Sequence, residues 1–243
     1  KIKHVINRTD HIVCICKEHA QFFNTIFPGT ASKLSIIYNG YEAWTKNYQQ
    51  KQNSIPGLQN DTFVFGMVSR GVEKKGWLQA IEAYNAAALP NTMLILVGGG
   101  AYLSTLQQQY ESSKIIFTGN SNNPVEYIQH FTVGLLPTLF PYESLPTVIM
   151  EYLYCNKPVI ATDVGEIADM IQSDTNQPAG YLLPFENEKI KVEDLTMAMQ
   201  RIFTEKKEYL ALAQATKNAF QKFDMAHCIQ LYEELYAQPV SQN

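Results

Sequence analysis

The chain has 243 residues, a formal net charge of -4, 46% hydrophobic residues and 17% charged residues. That size and mix fit one large domain, or one full domain with a fragment of another, and exclude a disordered or low-complexity chain. The absence of a basic stripe or dense Lys/Arg run argues against a nucleic-acid binder, and no apolar stretch approaches the ~20 residues of a membrane span.

The opening run, KIKHVINRTDHIVCIC, has a polar turn where a secretory signal needs an uninterrupted apolar core. HIVCIC (11–16) reads as a strand buried on both faces, KEHAQFFNTIF (17–27) as a helix and LSIIY (34–38) as a strand. Asn39–Gly40 then opens a polar stretch, and residues 45–61 are expected to be a linker. Beyond it, strands are expected at 62–69, 92–98, 114–119, 131–137, 158–162 and 179–184. Helices are expected at 76–88, 102–112, from Pro124, at 145–155 and at 165–172. Three more, at 192–204, 206–222 and 225–237, close the chain. Such alternation implies parallel strands joined by right-handed crossovers, hence an α/β doubly wound sheet that binds ligands beyond its C-terminal strand ends.

Before the linker lie only two strands and one helix, too little for an independent core. They are expected to pack on residues 224–237 or on a neighbouring chain. Cys14, Cys16, Cys155 and Cys228 form no CxxC pair and show no metal spacing, which fits reduced core cysteines of a cytosolic protein.

Five segments at strand ends carry candidate chemistry. In PYESLPTVIMEYLYCNK, Glu143 precedes a helix start and Glu151 lies about two turns inside. Glu151 is the only charged residue between Glu143 and Lys157, which distinguishes it from a glutamate on a solvated helix face. Ser144 is expected to cap that helix, Pro146 to sit in its first turn, and Leu145, Val148, Ile149, Leu153 and Tyr154 to pack inward. Backbone N–H groups and the dipole at such a helix start suit phosphate, while carboxylates accept from hydroxyls. SRGVEKKGW places Arg70 and Lys75 after a strand, where arginine can grip two phosphate oxygens and lysine adds a point charge. LVGGG (96–100) allows a tight turn and close ligand approach, and FTGNSNN (117–123) exposes backbone groups. TDVGEIADM (162–170) places Glu166 where a carboxylate complements a helix dipole. The segments other than the glutamate pair, each taken alone, read at least as well as ordinary polar loops, a tight turn or a helix-dipole contact. No DxD pair offers carboxylates to a Mn²⁺ or Mg²⁺ diphosphate site, no GxSxG elbow is present, and the five histidines are scattered.

Taken together, residues 62–185 resemble the C-terminal domain of the GT-B glycosyltransferases of group 1, the retaining family with an E-x7-E motif. The motif is Glu143-SLPTVIM-Glu151; the basic element is SRGVEKKG, and LVGGG, FTG, NKPVIAT and AGYLLP follow in the family's order. The resemblance implies a Rossmann-like domain with Arg70 and Lys75 on the donor diphosphate and Glu143 on the donor sugar. It places Ser144, Leu145, Pro146 and Thr147 around sugar and phosphate, Glu151 on the ribose, and Gly98, Gly99, Gly119 and Asn120 beside the base. It implies a nucleotide-sugar donor, UDP-linked by default, with no metal and no other cofactor. Departures from the family pattern are Ser69 and Ser144 where glycine is usual, and EYLY where EAMA is frequent.

The family pairs two Rossmann-like domains. Residues 1–44, ending IIYNGYE, resemble only the last β-α-β of the first, acceptor-binding domain, and FDMAHCIQLYEELY resembles the family's final helix, so that residues 62–223 form the donor domain and 224–243 return towards the first. The implied function is transfer of a sugar, with retention, to a glycan or lipid-linked acceptor. The absent half would carry the acceptor contacts and usually a catalytic histidine, so this chain alone is expected to bind donor weakly and not to transfer. A non-catalytic nucleotide-sugar-binding module and an enzyme like the GT-B nucleotide-sugar 2-epimerases remain alternatives. A cytoplasmic location is expected; peripheral attachment of the parent at the inner membrane surface and oligomerisation through residues 1–44 stay open at this point.

Overall fold

The run TMLILV forms a strand in which all six residues are buried, as apolar side chains on both faces of a covered strand must be. It lies within a computed structural model that describes residues 2–42 and 55–237. The chain divides into two units, residues 43–220 and residues 1–42 with 221–243.

The larger unit runs β3 (Phe63–Val68), α3 (Trp77–Ala87), β4 (Thr92–Val97), α4 (Ala101–Tyr110), β5 (Ile115–Gly119), α5 (Val125–Ile128) and β6 (Val133–Leu136). It continues with α6 (Thr147–Tyr154), β7 (Val159–Thr162), α7 (Ile167–Ile171), β8 (Gly180–Leu183), α8 (Val192–Thr204) and α9 (Lys206–Phe220). The six strands pair in parallel in the order β5-β4-β3-β6-β7-β8. Helix α3 packs with α8, and α6 with α7 and α9. Phe65, Met67, Trp77, Leu94, Leu96 and Ile160 belong to the core between these layers. The expected α/β doubly wound parallel sheet is thus the fold of this unit.

Two strands follow β3 on one side and three lie on the other, so the winding reverses between β3 and β6. Open parallel sheets bind ligands at such a switch point. There the Tyr152 hydroxyl accepts from the Val68 N–H (2.9 Å) and donates to the Leu135 carbonyl (3.1 Å), tying α6 to the ends of both strands. A Cβ on Gly134 would run into the Tyr152 ring, so glycine on β6 makes room for it. The EYLY departure therefore has a packing explanation at its first tyrosine, which is fully buried.

The smaller unit contains α1 (Ile2–Asn7), β1 (Ile12–Cys14), α2 (Lys17–Ile26), β2 (Leu34–Ile36) and α10 (Met225–Tyr236). β1 and β2 pair in parallel. Ile37, Cys228 and Leu235 form a small core with Val13, Leu231 and Tyr232 against it. The Cys228 thiol donates to the Tyr38 carbonyl at 3.2 Å, and the Tyr41 N–H donates to the Phe223 carbonyl at 2.6 Å.

Several boundaries differ from the expected ones. Helix α1 has no counterpart in the sequence reading. The first strand ends at Cys14, because Cys16 takes an extended conformation and its sulfur accepts from the His19 N–H, capping α2. Helix α6 starts at Thr147 rather than 145, because Pro146 is extended (ψ 115°) and occupies the N-cap. Ser144 does not cap it, since no side chain makes a cap hydrogen bond there. Tyr154 does not pack inward; it is exposed and its ring meets Phe220 edge-on. Of the expected linker, residues 45–54 lie outside the described residues, while Ile55 is buried.

Candidate functional site

The loops that leave β3 and β6 meet where the winding reverses. The β3 loop ends at Gly76, whose φ of 79° is left-handed and whose missing Cβ leaves space for the Pro137 carbonyl. The Leu139 N–H donates to the Lys74 carbonyl at 2.8 Å, joining the two loops by their backbones. Trp77, fully buried, donates its indole N–H to the Arg70 carbonyl at 2.9 Å, which fixes the backbone from which Arg70 projects.

This arrangement brings Lys75 to Glu143. Their ammonium and carboxylate form a direct ion pair across 68 positions of sequence, with side chains 12% and 9% exposed. Thr138, fully buried, lies 3.0 Å from the same oxygen of Glu143 through its Oγ1. The backbone behind Glu143 is held by the loop after β7: Gly165 has φ 56°, and a Cβ there would overlap the Glu143 carbonyl. Charges this far from water persist only when paired and hydrogen-bonded.

The β3, β4 and β5 loops form the other half. The Gly71 N–H donates to the Gly99 carbonyl at 3.0 Å, and the Gly98 N–H to the Gly119 carbonyl at 2.9 Å. A Cβ on Gly98 would strike the Ser69 carbonyl, and one on Gly99 would stand 2.7 Å from Asn120 Oδ1. Glycine is required at Gly98, where a backbone carbonyl approaches this closely, whereas at Gly99 the exposed Asn120 side chain would have to turn aside. Gly119 is left-handed (φ 76°) with open space around it.

Arg70 is exposed, and its guanidinium makes no hydrogen bond or ion pair among the described residues. Ser144, Leu145 and Pro146 are partly buried ahead of α6, and Thr147 begins it exposed. The first turn of α6 has no side-chain cap, so N–H groups at the positive end of the helix dipole remain for an anion. Glu151 is half-buried on the second turn, and burial pushes its carboxyl up to about 7. No hydrogen bond joins Glu151 to Arg70, Lys75 or Glu143 among the described residues. A carboxyl kept out of water without a partner is a mark of functional sites. Glu166 is buried at the N-cap of α7, but its side chain makes no capping bond.

Thr138 and Gly165 are the members of this cluster that stand outside the expected set. Gly165 lies in a segment the sequence already marked; Thr138 carried no signal beyond being the first polar residue after a strand. Two cavities lie elsewhere: about 630 Å³ beside β5, lined by Ile55, Phe117 and Tyr127 among others, and about 530 Å³ beside β8, lined by Tyr181, Met197 and Arg201 among others. The first takes in Phe117 and Thr118 of the FTGNSNN segment, and the second takes in none of the five candidate segments. No group of three or more His, Cys, Asp or Glu placed to hold a metal occurs among the described residues. No helix of the described residues is long and apolar enough to cross a membrane.

The family model for glycosyl transferases group 1 matches residues 49–219. An uncharacterized glycosyltransferase of Methanocaldococcus jannaschii is 27% identical over 172 residues, covering 66% of this chain and 41% of the relative. A glycogen synthase of Francisella philomiragia is 26% identical over 224 residues, covering 86% of this chain and 46% of the relative. The chain thus spans less than half the length of either. The crystal structure of Anabaena HepE in complex with UDP and glucose superposes with a TM-score of 0.73 at 20% identity, over 98% of this chain and 67% of that one. At that identity the likeness is one of fold, and it extends the GT-B resemblance to nearly the whole chain.

Proposed function

The chain belongs to the group 1 glycosyltransferases, and from that premise we propose that its larger unit holds a nucleoside diphosphate sugar at the switch point and presents it for glycosyl transfer. The observation that carries this reading is the meeting of Lys75 and Glu143 beside the uncapped start of α6, with Arg70 unpaired on the adjoining loop.

Each group has a task that its chemistry suits. Arg70, Lys75 and the first turn of α6 take the diphosphate and stabilise the charge that builds on it as the glycosidic bond breaks. Glu143 accepts from the donor's sugar hydroxyls, and Ser144, Leu145, Pro146 and Thr147 enclose the sugar and the phosphate next to it. Glu151 accepts from the ribose hydroxyls, where ligand donors would stabilise its ionised form. Gly98, Gly99, Gly119 and Asn120 leave a shallow bed of backbone groups for the base. Cationic groups and a helix dipole can stabilise the leaving diphosphate, so the transfer we propose is metal-independent; that it is retaining is proposed on the family resemblance alone. Uracil is the proposed base; Anabaena HepE has been crystallised with UDP and with UDP-glucose.

The smaller unit is proposed to be the last part of an acceptor-binding domain completed elsewhere in the parent protein, for a glycan or lipid-linked acceptor on the cytoplasmic side of a membrane. Ile2 and Val5 on α1 and Phe22 and Ile26 on α2 are exposed, apolar side chains suited to that completion or to a second copy. Without it the chain should bind donor and not transfer.

Calorimetric titration with UDP, GDP and ADP tests the reading. Selective binding of one nucleotide, weakened at least tenfold by both Arg70→Ala and Glu151→Ala, is expected. Binding unaffected by either substitution would reject the site.

A further inference from the structure

Thr138 follows β6 and Pro137 and is fully buried. Its Oγ1 lies 3.0 Å from Glu143 Oε1, 3.3 Å from the Lys74 carbonyl oxygen and 3.2 Å from the Phe140 backbone nitrogen. A hydroxyl has one proton to give and two lone pairs to offer. The Phe140 N–H only donates, so Thr138 accepts there, and its single proton must choose between two acceptors. The Lys74 carbonyl already accepts from the Leu139 N–H at 2.8 Å. Glu143 Oε1 is closer and carries the charge of the ion pair, where hydrogen bonds are shorter and stronger. The proton therefore goes to Glu143.

Lys75 donates to that same Oε1. Both protein donors thus converge on one carboxylate oxygen, and Oε2 accepts no hydrogen bond among the described residues. The Phe140 N–H in turn fixes the hydroxyl's rotation, so the carboxylate is held at one end by two donors whose own positions are set by backbone contacts. Oε2 is not sealed from solvent, so a ligand hydroxyl can take the place of water there.

We propose that Thr138 is a positioning residue: its hydroxyl, together with Lys75, holds Oε1 of Glu143 and reserves Oε2 for a hydroxyl of the donor's sugar. This inference rests on the transferase reading of the site and adds to it the means by which sugar-bearing nucleotide is favoured over bare nucleotide. Removing the hydroxyl leaves the phosphate-binding groups in place and frees the carboxylate to swing towards Lys75 alone. The loss falls on the sugar and not on the diphosphate.

The test is calorimetric titration of the full chain with UDP and with UDP-glucose, in wild type, Thr138→Val and Thr138→Ser. Thr138→Val should weaken UDP-glucose about tenfold, the scale of one hydrogen bond to a charged group, and change UDP by no more than about twofold. Thr138→Ser, which keeps the hydroxyl, should restore the wild-type ratio. In a Glu143→Ala background, adding Thr138→Val should leave the ratio of the two affinities within about twofold, because the effect runs through the Glu143 side chain. Equal weakening of both ligands, or a tenfold effect that persists without the Glu143 carboxylate, would overturn the positioning role and leave the donor site standing. Binding of neither ligand by the wild type would overturn the uridine-donor reading and this inference with it. If circular dichroism shows Thr138→Val unfolded, Thr138→Ala carries the same comparison.

Discussion

Replacing Lys75 by methionine should destabilise the larger unit severely, and replacing Glu143 as well should recover much of the loss. The two side chains are 12% and 9% exposed, so each charge depends on the other for compensation. Removing one partner of such a buried pair costs about 3–5 kcal/mol, because the survivor is left uncompensated. In Lys75→Met the Glu143 carboxylate keeps only the Thr138 hydroxyl. In Lys75→Met/Glu143→Gln no charge remains, the amide still accepts from Thr138, and the double variant should lie at least about 2 kcal/mol closer to wild type than the sum of the single changes predicts. For a unit of this size each kcal/mol moves the melting temperature by about 2–4 °C, so Lys75→Met should melt about 6–20 °C low. Urea unfolding followed by fluorescence is the assay. Trp77 is a suitable reporter, being fully buried and hydrogen-bonded to the Arg70 carbonyl in the same loop. Additivity of the two substitutions within about 0.5 kcal/mol would refute the claim that the pair is a coupled, desolvated unit.

Two further outcomes follow from the site's construction. Burial raises the Glu151 carboxyl to about 7 from a reference of 4.5, so below the lower value both folded and unfolded states are protonated and no stability is lost. Between about 4.5 and 7 the unfolded chain ionises while the folded one holds its proton, and stability falls by roughly 3 kcal/mol before levelling off. Glu151→Gln should flatten that slope and stabilise the chain at pH 8; urea midpoints at pH 5, 6, 7 and 8 that run parallel in the two proteins would contradict this. Gly165→Ala combines a left-handed φ with collision against the Glu143 carbonyl, whereas Gly119→Ala meets only the φ penalty in open space. The first should cost about 2–5 kcal/mol and the second about 1–2 kcal/mol, so equal midpoint shifts on chemical unfolding would refute the proposed support of Glu143 by the β7 loop.

The sheet was legible because its strands are short apolar runs bounded by turn residues, and β4 with six buried residues is the clearest case. The glycines of LVGGG are legible as a tight turn, but the reason for Gly98 is tertiary: it admits the Ser69 carbonyl from a neighbouring loop. Lys75 and Glu143 stand 68 positions apart, and no local pattern states that they touch; only the resemblance to a family placed them on one ligand. Thr138 was invisible for a related reason, since one hydroxyl in a loop has no periodicity and acquires its role from three atoms contributed by two loops. The start of α6 was misplaced because proline fixes φ but leaves ψ free, and Pro146 takes the extended value. Tyr152 reads as one more apolar helix residue until its hydroxyl is seen between β3 and β6.

The most direct measurement is a crystal structure of the chain grown with UDP-glucose. The account predicts the diphosphate at the first turn of α6 within hydrogen-bonding distance of Arg70 and Lys75, the ribose hydroxyls on Glu151, and a sugar hydroxyl on Glu143 Oε2. Nucleotide lodged instead in the cavity beside β5, or a diphosphate that touches neither Arg70 nor Lys75, would contradict it.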